Sequence, residues 1–318
     1  MSNLESPASP RALFLGMQGN FSHPPLRALL ESDIEVRAIV IPARDQHPAQ
    51  AAMRRLEPPP KTRSLLPVLH SSLHTSVAHI AWERGIPLWE VQRMSNPETL
   101  AVFAAYQPDV LCVACFSLYI PRSILDIPRL GCLNVHPSLL PANRGPDPLF
   151  WTFRQGMRQT GATIHLMDEG LDSGPIVAQE RVEVPDGIRY AQLEAQCAEA
   201  GSKLLARSVW ELYQGTAVPR TQDKSQSSYL PMPSSEDFVV PVAQWNARHI
   251  YNFIRGVASR GEPVQLLIDG QDMLVTDANS YSHENTDNDP KAITEKADRE
   301  VSVKCRDGWI KVKLSGSN

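Results

Sequence analysis

The chain has 318 residues, 42% of them hydrophobic and 21% charged, with a formal net charge of -4. That length accommodates two domains with a sizeable buried core, and the charge supplies no global basic field of the kind that marks nucleic-acid binders. Five cysteines without regular spacing argue against a disulfide scaffold and fit a reducing cytoplasm, and no apolar run is long enough to cross a membrane.

Residues 1–10 are polar and read as a loose, flexible tail, not a signal peptide. Residues 11–16 read as a buried first strand. Residues 24–31 read as a helix, with Leu26, Leu29 and Leu30 on one side and Pro24 or Pro25 near its start. Residues 35–41 read as a second strand, and this β-α-β opening predicts a parallel α/β sheet. The turn Gly16-Met17-Gln18-Gly19 lacks G-x-G-x-x-G spacing, and strand two ends in Ile39-Val40-Ile41-Pro42 with no acid for a ribose hydroxyl. A dinucleotide site is therefore not expected.

Residues 43–69 read as a loop, carrying Arg44, Arg54, Arg55, Lys61 and Arg63 around Pro58-Pro59-Pro60. It is either a solvated surface loop or one that reaches an anionic acceptor such as tRNA or a nucleotide. A helix over 74–84 ended by Gly85, a strand over 86–91 and a helix over 97–106 capped by Asn96 or Ser95 come next. Residues 109–116 form a fully buried strand. Within it Cys112 and Cys115 lack a second ligand pair for zinc and read as small core residues. The strand feeds Ser117, Leu118, Tyr119, Ile120 and Pro121, just past a strand carboxyl end, where open α/β sheets hold ligands. Tyr119 reads equally well as a packing aromatic. Residues 123–127 form a short helical step.

The stretch Gly131-Cys132-Leu133-Asn134-Val135-His136-Pro137-Ser138-Leu139-Leu140-Pro141 is the centre of the chain. Residues two apart on a strand share a face, so Asn134 and His136 project together where the chain leaves the sheet. An amide and an imidazole side by side offer an oxyanion donor and a proton-transfer group. A helix over 146–156 follows, with Phe150, Trp151 and Phe153 read as packing residues in preference to a base-stacking platform. Strands over 160–167 and 175–184 come next. His165 alternates with Ile164 and Leu166 and reads as structural. A helix over 190–213, striped by Leu193, Cys197, Leu204, Leu205 and Val209, closes the first domain.

Residues 214–235 are a linker by composition. Beyond them lie a helix over 247–257 and two hairpin-like segments, 264–278 around Asp269-Gly270 and 301–314 around Asp307-Gly308. The polar stretch 279–300 between them reads as a mobile loop. The expected organisation is thus a flexible tail over 1–10, a catalytic domain over 11–213, a linker over 214–235 and a small β-rich domain over 236–318.

Three blocks occur in order: Asn134-x-His136-x-Ser138-Leu139-Leu140-Pro141, then Arg144-Gly145, then Thr160-Gly161-x-Thr163 with Leu171-Asp172-Ser173-Gly174. Together they resemble the 10-formyltetrahydrofolate-dependent formyltransferase family, methionyl-tRNA formyltransferases in particular. The resemblance implies a Rossmann-like formyltransferase domain with a parallel-rich sheet, followed by a small β-rich, OB-like domain. It implies a cytoplasmic one-carbon transferase that moves a formyl group from 10-formyltetrahydrofolate to a primary amine, with no metal and no covalent enzyme intermediate. The resemblance also implies the roles of the site residues: Asn134 donates to the oxyanion. His136 donates to the same oxygen or shuttles the proton to the leaving nitrogen. Asp172 orients His136 and takes the amine proton, directly or through water. Ser138, Leu139, Leu140 and Pro141 shape the folate pocket. The backbone of Ser117, Leu118, Tyr119 and Ile120, and that from Asp168 through Gly170 to Asp172, lines the pterin.

The implied partners are the folate donor and an amine acceptor, with no membrane; nothing in the sequence speaks to oligomeric state. The acceptor is initiator methionyl-tRNA or, alternatively, an amino sugar nucleotide or other small amine, or water in a hydrolase. Three departures from the tRNA enzymes lean toward a small amine. No Gly-Arg-Gly-Lys run follows strand two, Arg144-Gly145-Pro146-Asp147-Pro148 stands where Arg-Gly-Ala-Ala-Pro is usual, and no Leu-Gln-x-x-Gly-Lys run occurs.

Overall fold

The structure is a computed structural model that describes residues 9–44, 51–59, 76–268, 271–283, 293–295 and 299–315. An eight-stranded sheet is built from β1 (Arg11–Gly16), β2 (Glu35–Pro42), β3 (Met53–Arg55), β4 (Leu88–Val91), β5 (Val110–Ala114), β6 (Cys132–His136), β7 (Gln159–Leu166) and β8 (Ile176–Glu183), in the order β3-β4-β2-β1-β5-β6-β7-β8. The pairs β1/β2, β1/β5, β2/β4 and β5/β6 are parallel, while β3/β4 and β6/β7 are antiparallel. Between the strands lie α1 (His23–Glu31), α2 (Val77–Glu83), α3 (Pro97–Ala105), α4 (Arg122–Leu125) and α5 (Pro148–Arg154), and α6 (Tyr190–Gln214) follows β8.

Strand β5 is apolar throughout, and β1 is so beyond Arg11, because a parallel sheet is covered on both faces. Every residue of β5 is buried, and Leu13, Leu15, Val40, Phe103, Leu111 and Val113 share one core cluster. The sheet grows in opposite directions from β1, toward β2 on one side and β5 on the other. That reversal makes a crevice at the strand carboxyl ends, where ligands of open α/β sheets sit. Ser22 pins this end: its Oγ donates to Ala114 O at 2.6 Å and accepts from Met17 N at 2.9 Å. At the other end Asp109 joins Arg11 and Arg129.

A second, six-stranded sheet has the order β12-β13-β14-β11-β10-β9. Its strands are β9 (Val239–Pro241), β10 (Val264–Ile268), β11 (Gln271–Ser282), β12 (Ile293–Glu295), β13 (Glu300–Cys305) and β14 (Gly308–Leu314). Helix α7 (Ala247–Val257) buries Ile250, Phe253, Ile254 and Val257. Two compact units result. One comprises 1–144, 161–181 and 195–227, the other 145–160, 182–194 and 228–318.

Several expectations change. The stretch 43–69 is not loop throughout: Met53 is buried and β3 forms an antiparallel edge on β4, while residues 45–50 and 60–69 lie outside the described residues. Of the tail 1–10 only Ser9 and Pro10 are described, and Pro10 O accepts from Glu35 N at 2.9 Å. The stretch 279–300 holds the end of β11, paired with β14, and β12, paired with β13; residues 284–292 and 296–298 lie outside the described residues. The last hairpin turns at Arg306-Asp307, since Cys305 pairs with Gly308. Cys115 is exposed, at φ 57° just past β5, while Cys112 is buried. Residues 215–227, read as linker, pack within the first unit, and 145–160 and 182–194 pack within the second.

Candidate active site

Strand β6 buries Cys132, Leu133 and Val135, and its alternation turns Asn134 and His136 to the same face. The antiparallel register sets Asn134 opposite His165 and His136 opposite Thr163. Directly paired residues share a face, so four polar side chains gather there. On the other face α6 approaches closely: a Cβ at Gly201 would lie 2.5 Å from Val135 Cγ1. Glycine there lets the helix press on the strand that carries the site.

His136 is buried, with 5% of its side chain exposed. Its Nε2 donates to Asn143 O at 2.9 Å, which places the proton on Nε2 and leaves Nδ1 bare. Nδ1 faces Asp172 Oδ1 at 3.6 Å. Burial pushes the imidazole pKa down, the Asp172 carboxylate and the Asn143 carbonyl push it up, and burial prevails. The resting ring is neutral at pH 7, with a proton acceptor aimed at the carboxylate.

His165 is buried as well. Its Nδ1 donates to Leu166 O at 3.0 Å, so Nε2 accepts from Asn134 Nδ2 at 3.1 Å. That bond fixes which way the Asn134 amide faces. Asp172 Oδ1 stands 3.5 Å from both Asn134 Nδ2 and His165 Nε2. Asp172 itself adopts φ 51°, a left-handed conformation that aspartate tolerates better than most residues. Two residues on, a Cβ at Gly174 would lie 1.9 Å from Leu166 O, so the turn closes against β7 only with glycine. Asp168 serves the same turn, its Oδ1 accepting from Gly170 N at 3.0 Å and Ser173 Oγ at 2.7 Å.

The loop after His136 is equally held. Thr163 Oγ1 donates to Ser138 O at 2.6 Å, and Ser138 Oγ donates to Ala142 O at 2.8 Å. Gln179 Nε2 donates to Leu140 O at 2.9 Å. Leu139 and Pro141 are half-buried. Ser117, Leu118, Tyr119 and Ile120 follow β5, whose last residue pairs with Val135, so this loop leaves the sheet beside the end of β6. Tyr119 is 72% exposed and is not a packing aromatic. Phe150 and Phe153 are buried, as expected of packing residues.

The structure therefore gathers Asn134, His136 and Asp172, which lie up to 38 positions apart. His165, read as structural, is buried in an apolar strand and also contacts Asn134, a partner whose register is not legible locally. Gln222 gave no signal at all. It lies in the supposed linker, yet it is buried and donates to Asp172 O and Gly174 O. Among the described residues no group of three or more His, Cys, Asp or Glu side chains is arranged to hold a metal ion. A cavity of about 640 Å³ in the second unit is lined by Arg158, Asp186, Arg248 and Tyr281 and includes none of these site residues.

The family model for formyl transferases matches residues 11–209, and that for the formyl transferase carboxyl-terminal domain matches residues 234–315. The chain belongs to the formyl transferase family. It is a one-carbon transferase. A methionyl-tRNA formyltransferase of Syntrophomonas wolfei is 34% identical over 250 residues, 78% of this chain and 72% of that protein. One of Synechococcus sp. (strain JA-3-3Ab) is 32% identical over 248 residues, 77% of this chain and 70% of that protein. The fold matches a solved N-formyltransferase of Helicobacter canadensis in complex with folinic acid and dTDP-3-aminofucose, with a TM-score of 0.63 at 15% identity, covering 95% of this chain and 98% of that one. In this formyltransferase no helix among the described residues is long and apolar enough to cross a membrane.

Proposed function

We propose that this chain transfers the formyl group of 10-formyltetrahydrofolate to the amine of methionyl-tRNA, with Asn134, His136 and Asp172 as the reacting side chains. The observation that carries the reading is convergence. Asn134 Nδ2 and His136 Nδ1 both face Asp172 Oδ1, at 3.5 and 3.6 Å, at the end of one strand. One N–H of the Asn134 amide is committed to His165. The other makes, among the described residues, the long contact to Asp172 and is available to the formyl oxygen as it gains charge.

The neutral amine attacks the formyl carbon, and a C–N bond forms. The nitrogen loses its proton to the His136–Asp172 pair, which at rest carries a bare Nδ1 and a carboxylate. The pair hands that proton to N10 of the folate as the C–N10 bond breaks. Tetrahydrofolate leaves and the formylated amine remains. The loops of Ser117 to Ile120, Ser138 to Pro141 and Asp168 to Gly170 hold the donor, the last two fixed by the hydrogen bonds described above.

The methionyl-tRNA acceptor is supported by the relatives, which match over more than two thirds of their own length. A small amine, such as an amino sugar nucleotide, is the second reading. It is favoured by the basic stretch, where Arg54 is paired with Glu90 at 2.6 Å and Arg55 with Glu57 at 3.3 Å, leaving less charge for a phosphate backbone. By sequence, residues 11–213 are assigned as the catalytic domain and 236–318 as the carboxyl-terminal domain, although 145–160 and 182–194 are grouped with the second compact unit. Of the residues joining them, 220–222 serve the first. Five cysteines without regular spacing support a cytoplasmic location. The test is formyl loss from 10-formyltetrahydrofolate by purified protein with charged initiator tRNA, with amino sugar nucleotides and with no acceptor. Turnover with tRNA supports the main reading, turnover only with a sugar nucleotide supports the second, and equal turnover without acceptor overturns both in favour of hydrolysis.

A further inference from the structure

Residues 220–222 run beside the start of β8. Arg220 N donates to Ile176 O and Ile176 N to Arg220 O, both at 2.8 Å. This bridge sets the register that delivers Gln222, 5% exposed, to the turn carrying Asp172. Gln222 Nε2 donates to Asp172 O at 2.8 Å and to Gly174 O at 2.7 Å. Its Oε1 accepts from Arg144 Nη2 at 2.6 Å and Arg144 Nε at 3.1 Å. Both amide N–H groups and the carbonyl are thus engaged. Arg144 directly follows Asn143, whose carbonyl holds His136 Nε2. One buried amide therefore connects the backbone that anchors His136 to the backbone that carries Asp172.

We propose that Gln222 is a positioning residue for formyl transfer, holding the Asp172 turn against the His136 anchor and so setting the Nδ1–Oδ1 separation. The inference rests on the reading that His136 and Asp172 move the proton. A turn with a non-glycine residue at φ 51° is intrinsically disfavoured and persists where its surroundings fix it. Gln222 fixes it by binding the carbonyls on both sides of Ser173. Without that grip the turn relaxes and the carboxylate drifts. A displacement of about 1 Å at a reacting group costs on the order of 10² in rate. The Ser138 to Pro141 side of the donor site keeps its place, because that loop is held by Thr163 and Gln179, not by Gln222.

The test compares Gln222→Glu with wild type, using full-length protein and the best acceptor from the assay above. Glu keeps the Arg144 partner but offers no donor to either carbonyl. The expected result is a fall in kcat of about 10- to 100-fold, larger than any rise in folate KM, and an altered pH profile of kcat. In an Asp172→Asn background the same change should have little further effect, because residues acting as a unit are non-additive. Gln222→Asn, too short to reach both carbonyls, gives a second reading should the Glu variant fold poorly. Wild-type kcat in a folded variant, or equal losses with and without Asp172, overturns the proposal. Normal turnover by Asp172→Asn itself overturns instead the site reading on which it rests.

Discussion

Asn134 and His165 face each other as register partners across β6 and β7, with Asn134 Nδ2 3.1 Å from His165 Nε2. The contact decides which way the amide faces. His165 Nδ1 is committed to Leu166 O, so Nε2 only accepts, and the amide must present nitrogen. If Asn134 is the oxyanion donor proposed above, Asn134→Ala should lower kcat by about 10²–10³. His165→Leu frees the amide to rotate and should cost about 10-fold, with folate affinity unchanged. Single-turnover formyl transfer reads both, and a wild-type rate in either variant removes that residue from the argument.

His136 gives the site a signature in pH. Its folded pKa lies below its ordinary value because burial outweighs Asp172 and the Asn143 carbonyl. The unfolded ring titrates near about 6.5. Below that pH the unfolded chain takes up a proton that the buried ring refuses. Stability is therefore lost as pH falls from about 6.5 toward the folded pKa, with a limiting slope of about 1.4 kcal/mol per pH unit. Above about 6.5 both states are neutral and the group contributes no pH dependence. His23 and His249 are shifted the same way by burial, so the comparison is with His136→Gln. Urea unfolding at pH 7.5 and 5.5 should show a larger loss for wild type than for the variant. Equal losses contradict a depressed His136.

Much of this was legible because it depends on local pattern. The apolar run of β5, the alternation in β6 and the Asn96 cap of α3, which accepts from Glu98 N at 2.9 Å, follow from neighbouring residues. Asn134 and His136 needed only the two-residue period. What stayed hidden depends on contacts between distant residues. His165 was indistinguishable from a core histidine until β7 paired with β6. Gln222 sat in a stretch whose Ser, Thr and Pro content reads as linker. Its burial arises from the bridge of Arg220 to Ile176, 44 positions away. The edge strand β3 escaped because Met53–Arg55 is too short to show a period.

Asp109 ties together the amino-terminal ends of the strands. It is 3% exposed and accepts from Arg11 N at 2.8 Å and Arg129 Nε at 2.6 Å. Burial pushes its carboxyl up, but hydrogen bonds from the Arg11 side chain and backbone and from Arg129 hold it at about 2. The folded pKa is depressed, so the stabilisation is present above the unfolded value of about 3.9 and is lost as pH falls through about 2. Because both guanidinium groups are partly solvated, Asp109→Asn should cost about 1–2 kcal/mol at pH 7. Denaturant midpoints should converge for the two chains as the pH is lowered toward 3. A constant gap would mean that the pair contributes through packing and not through charge.

Arg54 and Arg55 test the acceptor. Arg54 is 58% exposed and paired with Glu90, and Arg55 is 55% exposed and paired with Glu57. If the acceptor's phosphates lie near β3, Arg54→Ala with Arg55→Ala should raise the acceptor KM several-fold at low salt and flatten its salt dependence. An unchanged KM at low ionic strength would make the strand a solvated edge whose charges balance internally.

Gly174 offers the sharpest mechanical test. A Cβ there would lie 1.9 Å from Leu166 O and 3.4 Å from Asp168 N. Leu166 is itself held by its N–H to Pro175 O at 2.9 Å, so the strand does not yield and the turn must. Gly174→Ala should therefore push the Asp172 turn away from His136, lowering kcat by about 10² and stability by about 1–3 kcal/mol. Gly19 meets nothing within 4 Å, and Gly19→Ala should be neutral in both assays. Thermal melts with steady-state kinetics separate the effects. If Gly174→Ala melts early but keeps its kcat at low temperature, the turn tolerates displacement and Asp172 does not depend on its place beside His136.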